Sequence, residues 1–88
     1  MPVTPKRPSA VKRWLFSIPR ARSIARGVNS AQTRPAFMSN LVIAHRQGNL
    51  DRVVLTMLRL QIMASGLPKE EKMARRAILE DYRRMIRG

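Results

Sequence analysis

Asn49-Leu-Asp51-Arg-Val-Val-Leu-Thr-Met-Leu-Arg59-Leu-Gln-Ile-Met63-Ala-Ser-Gly66-Leu-Pro68 decides the fold class. Its apolar residues recur too closely for a strand that alternates in and out. The run is also broken by Arg59 and Gln61, and it falls short of the roughly 18–20 apolar residues that cross a bilayer. It therefore predicts a buried helix opening at Asn49 or Leu50 and closing near Ser65, with Gly66 as its stop. Val53, Val54, Leu55, Met57, Leu58, Leu60, Ile62 and Met63 surround much of that helix. It wants cover on more than one side, which two further helices of a small chain would leave incomplete and another subunit would supply.

Working outward, Pro68 starts a last helix with Glu70 and Glu71 in its positive first turn and Arg83, Arg84 and Arg87 in its negative last turn. Ala74, Ile78, Tyr82 and Met85 form an apolar face at helical spacing. Glu71/Arg75, Arg76/Glu80 and Glu80/Arg84 stand at i,i+4 and predict ion pairs along it. Upstream, Ser39 or Asn40 caps a helix through Leu41–Ala44 that ends at Gly48. No strand pattern competes. The expectation is an all-α fold: a small helical hairpin or three-helix unit over residues 37–88.

Residues 1–36 read differently. Pro2, Pro5 and Pro8 predict extended chain. Ser9 caps a short helix over residues 10–18, Pro19 opens a second to about Arg26, Gly27 ends it, and residues 28–35 form a loop. This is a basic arm, extended with short helices. Its charge is its main signal. The first acid in the chain is Asp51, and nine Lys and Arg precede it. The net charge of +13 therefore divides into +9 before Asp51 and +4 from there on. A surface of one sign is suited to lie against the other sign. Lys6, Arg7, Lys12, Arg13, Arg20, Arg22, Arg26 and Arg34 are spaced to meet successive phosphates, and arginine's planar fork suits them. Trp14 offers a flat face for stacking on a base or anchoring in protein, as does Phe16. Such an arm grips RNA by charge and shape, with little sequence readout.

The chain has no Cys and a single His, His45. That excludes disulfides and thiolate metal sites, and leaves His45 as a packing or surface residue. The glycines form no phosphate loop. The expectation is no enzyme, no catalytic residue, no metal, no cofactor and no small-molecule substrate. With no transmembrane segment and no secretory signal, the sequence predicts a soluble, intracellular protein. Residues 1–35 also have the Arg-rich, acid-free, Ser-dotted character of a mitochondrial targeting segment. Val54, Leu58, Ile62, Ile78, Tyr82 and Met85 are the expected contacts to neighbouring proteins. Met57, Met63, Met73 and Met85 read as gap-filling core.

Asn40-Leu-Val-Ile-Ala-His-Arg-Gln-Gly48-Asn-Leu-Asp51, followed by Met63-Ala-Ser-Gly66-Leu-Pro68, resembles one pentatricopeptide repeat. That resemblance implies a helical hairpin over residues 40–68 and no more, since a base-reading groove needs stacked repeats. More broadly the chain resembles the small basic proteins of ribosomes, particularly lineage-specific subunits of mitochondrial ribosomes. The resemblance implies a structural constituent of a ribonucleoprotein in the mitochondrial matrix, bound to rRNA and neighbouring ribosomal proteins; a bacterial or plastid ribosome stays open. The last helix also faintly resembles the LYR-type mitochondrial accessory proteins, without their Leu-Tyr-Arg start. The alternatives are a small accessory subunit of a respiratory or ATP-synthase complex, its arm on acidic subunits or lipid, and an assembly factor that binds a partner's helix.

Overall fold

A computed structural model describes the backbone of residues 10–86 and the side chains of residues 18–86. The fold is all-α, with α1 (Ala10–Asn29), α2 (Arg34–Arg46), α3 (Arg52–Ala64) and α4 (Lys69–Met85). No described helix is long and apolar enough to cross a membrane.

Local chemistry sets each boundary. Asp51 caps α3, its Oδ1 accepting from the Val54 amide at 2.9 Å. At the end of α2, Gly48 takes φ +74°, Asn49 N donates to Ala44 O at 2.9 Å and Gly48 N to His45 O at 3.0 Å. Those two bonds and a left-handed glycine form a Schellman stop. After α3, the Ser65 hydroxyl donates to Ile62 O at 2.6 Å and Lys72 Nζ to Met63 O at 3.1 Å, so carbonyls left open at the helix end find donors.

α3 starts at Arg52, two or three residues past the Leu50 or Asn49 opening expected from the sequence, because Asp51 supplies the cap, and two other boundaries differ by more. The first is the start of α2. Thr33, rather than Ser39 or Asn40, is its cap, with Oγ1 accepting from Ala36 N at 3.3 Å and Pro35 in the first turn. Starting earlier brings Phe37 into the helix and the core, where it is fully buried. The second concerns Pro19 and Gly27, which were expected to bound short helices but lie inside one continuous α1. An internal proline removes an amide donor and costs about 3 kcal/mol. Burial of Ala21, Ala25 and Val28, at i, i+4 and i+7 on one face of α1, offsets that cost. Asn40 Nδ2 donates to Val28 O and the Ser30 hydroxyl to Gly27 O, which fixes the point where α1 stops.

The helices form a ring in the order α1, α3, α4, α2, with α1 and α4 on one diagonal and α2 and α3 on the other. Phe37 and Leu41 of α2, Val54, Leu58 and Ile62 of α3, Leu79 of α4 and the small α1 residues share one core. Each large apolar side chain buried there contributes about 1.5–3 kcal/mol. The helical hairpin of the structure is therefore α3–α4. The pentatricopeptide-like segment does not close on itself, because α2 and α3 face each other only across the core. The cover that α3 needed comes from α1, through a core face that the reading of residues 1–36 as an arm had missed. The folded unit reaches back past residue 36 to Ala21.

Candidate nucleic-acid interface

With Ala21, Ala25 and Val28 turned inward, α1 presents Arg20, Arg22 and Arg26 outward, all exposed. The backbone beneath them is fixed. Gln61 Nε2 donates to Arg22 O at 3.1 Å, and Asn29 Nδ2 donates to Leu58 O at 3.3 Å and Gln61 Oε1 at 3.1 Å. Arg20 Nη2 donates to Asn49 Oδ1 at 3.1 Å, a neutral partner that leaves its charge unmet. Neither Arg22 nor Arg26 pairs with a described carboxylate. At about 100° per residue Arg22 and Arg26 stand side by side, about 40° apart, while Arg20 lies about 120–160° round α1 from them on the opposite flank of the core face. The outer half of a rigid helix thus carries uncompensated positive charge spread over both flanks. Lys6 and Arg7 lie outside the described residues. Lys12, Arg13 and Trp14 belong to α1, but their side chains are also outside the described part.

Arg34 does not join this basic surface. It grips Glu71 as a fork, Nη2 to Oε1 at 2.8 Å and Nε to Oε2 at 3.5 Å. Glu71 Oε2 also accepts from Arg75 Nε at 2.8 Å. Arg75 is only 1% exposed, donates from Nη1 to Ala31 O at 3.1 Å, and stacks over the Phe37 ring at 4.9 Å. The hydrogen bonds from Arg34 and then Arg75, with their charges, lower the Glu71 carboxyl to about 2 against burial. Its hydrogen bond and charge in turn raise Arg34. One carboxylate thus ties the α1–α2 turn, the start of α2 and the first turns of α4 together, and Arg34 is part of that tie. Sequence spacing foresaw Glu71–Arg75. Arg76–Glu80 and Glu80–Arg84 do not form; Arg84 instead meets Asp81 at 3.6 Å, fully in solvent.

The expected protein contacts divide in the same way. Val54, Leu58 and Ile62 are buried in the chain's own core and are not interface residues as the protein stands, because α1 covers them. Ile78 and Tyr82 pack partly against that core, Tyr82 edge-on to His45 with ring centres 5.9 Å apart. Met85 is 61% exposed. Met63 and Met73 are surface residues, against the expectation that they fill the core; only Met57 packs against it. Leu60, read among the apolar residues of α3 that want cover, and Ile43, read as part of the apolar run of α2, are also exposed. The signal for Ile43 was its offset from the Phe37–Leu41–Ala44 face, visible only once α2 starts at Arg34.

No family model matches the chain, and neither a curated protein nor a solved structure proved similar to it.

Proposed function

We propose that this protein is a non-catalytic structural component of a ribonucleoprotein, a mitochondrial ribosomal protein in the first instance. Its N-terminal region and α1 lie along rRNA, and its remaining helices dock on neighbouring proteins. One observation carries the reading. The acid-free half of the chain contains α1, a helix whose inner face is core and whose outer half carries Arg20, Arg22 and Arg26 without a carboxylate partner among the described residues. A solvated surface ordinarily mixes both signs. Here four of the five acids lie in α4 and the fifth caps α3, so α1 has none of its own.

The test is binding of the full chain to RNA as a function of salt. Neutralising six to nine phosphates gives a log–log slope of about −4 to −6 on single strands. Cosedimentation with ribosomal particles at moderate salt is the companion result. A slope near zero, with the protein following membranes or a respiratory complex, discards the reading in favour of the accessory subunit.

A further inference from the structure

The α3–α4 hairpin carries a second concentration of arginine, separate from α1. Arg52 and Arg59 stand two turns apart on one stripe of α3, and Arg83 stands on the antiparallel α4. The three line one cleft of about 100 Å³ between the helices, with Leu55 and Leu79 as its buried floor and Glu80 as its only acid. None of these arginines pairs with Glu80 or donates to another described side chain. Glu71, by contrast, is held by two arginines.

The cleft faces away from α1. Gln61 and the Leu58 carbonyl mark the side of α3 against which α1 lies. At about 100° per residue, Arg52 and Arg59 sit roughly 180° and 200° from Gln61 round the helix. α1 and α4 lie on a diagonal of the ring, so neither bridges the two basic faces.

We propose that this cleft is a second phosphate-binding site, and that one molecule thereby holds two RNA segments, one on α1 and one on the α3–α4 hairpin. The inference rests on the ribonucleoprotein reading and adds to it the number and placement of contacts. Three points carry it. Three like charges gathered over an apolar floor focus a field that attracts anions. All three cations are arginines, whose forks bind phosphate oxygens in pairs. The cleft is also well below the roughly 300–1,000 Å³ of a small-molecule pocket, so it suits a headgroup-sized anion. Glu80 moderates the site: it opposes phosphate and weakens the grip without abolishing it.

The experiment uses the full chain and a labelled 20-nucleotide RNA, with stoichiometry read by sedimentation velocity at low salt. The wild type is expected to form a complex with one RNA and then with two. The variant R52Q/R59Q/R83Q keeps the first complex and loses the second. Its counterpart R20Q/R22Q/R26Q weakens the complex formed on the other face and leaves the cleft occupied. Glu80→Gln tightens the second step about fivefold, the effect of removing one unit charge a few ångströms away in water. A gain in affinity is a result that mere loss of stability would not produce. Two RNAs bound by R52Q/R59Q/R83Q with unchanged affinity would overturn the cleft alone. So would a wild type that stops at one RNA and binds poly-glutamate in the cleft, which assigns it to an acidic protein. No RNA bound by the wild type would overturn the ribonucleoprotein reading itself.

Discussion

Two sets of arginines in this protein are alike in sequence and opposite in circumstance. Around Glu71, Arg34 and Arg75 converge on one carboxylate, and Arg75 is sealed between that carboxylate, the Ala31 carbonyl and the Phe37 ring. Around Glu80, Arg52, Arg59 and Arg83 share a cleft with an acid and pair with none of it. The first set has given up its charge to hold three segments together. The second has kept its charge. The number of basic residues in a chain is therefore a poor count of its anion contacts. What separates the two roles is whether a carboxylate lies within reach and whether water is excluded around the pair.

The largest test of this contrast is Arg75→Ala. It removes the donor to Ala31 O and the buried stack on Phe37, and it leaves a void in the core. Breaking a buried pair costs up to 3–5 kcal/mol, but Glu71 keeps Arg34 and some solvent, so about 3 kcal/mol is expected. At about 4–8 °C per kcal/mol in a domain of this size, the melting temperature falls by roughly 12–24 °C. Circular dichroism melts measure it. Arg83→Ala, a cleft arginine on the same helix, should move the melt hardly at all. Equal losses for the two would collapse the distinction between them.

The next effect is in pH. The Glu71 carboxyl is lowered from 4.5 to about 2 by its two arginines. The folded form therefore holds this proton less tightly than the unfolded form, and the stabilisation is present in full above about pH 4.5. It is lost as pH falls through that value toward 2, where Glu71 protonates in both states. The melting temperature of the wild type should drop across this window, and that of Glu71→Gln should start lower and change less. A wild-type melt that is flat between those pH values would remove Glu71 from the set of structural pairs.

How far the sequence spoke depended on which force decided each element. α3 and α4 were legible because apolar spacing, the Gly48 stop and the Pro68 start agree with one another. α1 was not. Pro19 and Gly27 are local signals for a break, and its core face is made of Ala21, Ala25 and Val28, too small to stand out as an apolar stripe. Tertiary packing overrode local preference there, and with α1 went the assignment of Val54, Leu58 and Ile62 to an interface. At the candidate site, Arg20, Arg22 and Arg26 were found by charge alone. Arg34 was grouped with them because the distance from Arg34 to Glu71 in three dimensions has no trace in their separation along the chain. Arg52 and Arg59 were missed for the same reason, since they meet Arg83 only when α3 and α4 fold together.

A smaller effect sharpens the contrast on the binding side. R20Q/R22Q/R26Q removes three unpaired charges from α1 without touching its core face. The RNA salt slope should shrink by about 2, from about 0.7 for each lost phosphate contact, with the melting temperature unchanged. Arg34→Gln should behave the other way, lowering the melt and leaving the slope in place. A slope that falls as much for Arg34→Gln as for an α1 arginine would return Arg34 to the interface and weaken its role with Glu71.

The smallest expected change lies at Asp51, the one acid outside α4. It stands next to Arg52 at the mouth of α3, yet its Oδ1 accepts from the Val54 amide and it makes no ion pair with a described residue. If its task is to cap α3, the oxygen matters and the charge does not. Asp51→Ala should then cost about 1 kcal/mol, and Asp51→Ser, which keeps an acceptor, much less. Denaturant titration separates the two. RNA affinity should rise slightly in both, since each removes a negative charge beside Arg52. Equal destabilisation by Ala and Ser would mean that Asp51 acts through its charge, placing Arg52 with the structural arginines and leaving the cleft only two.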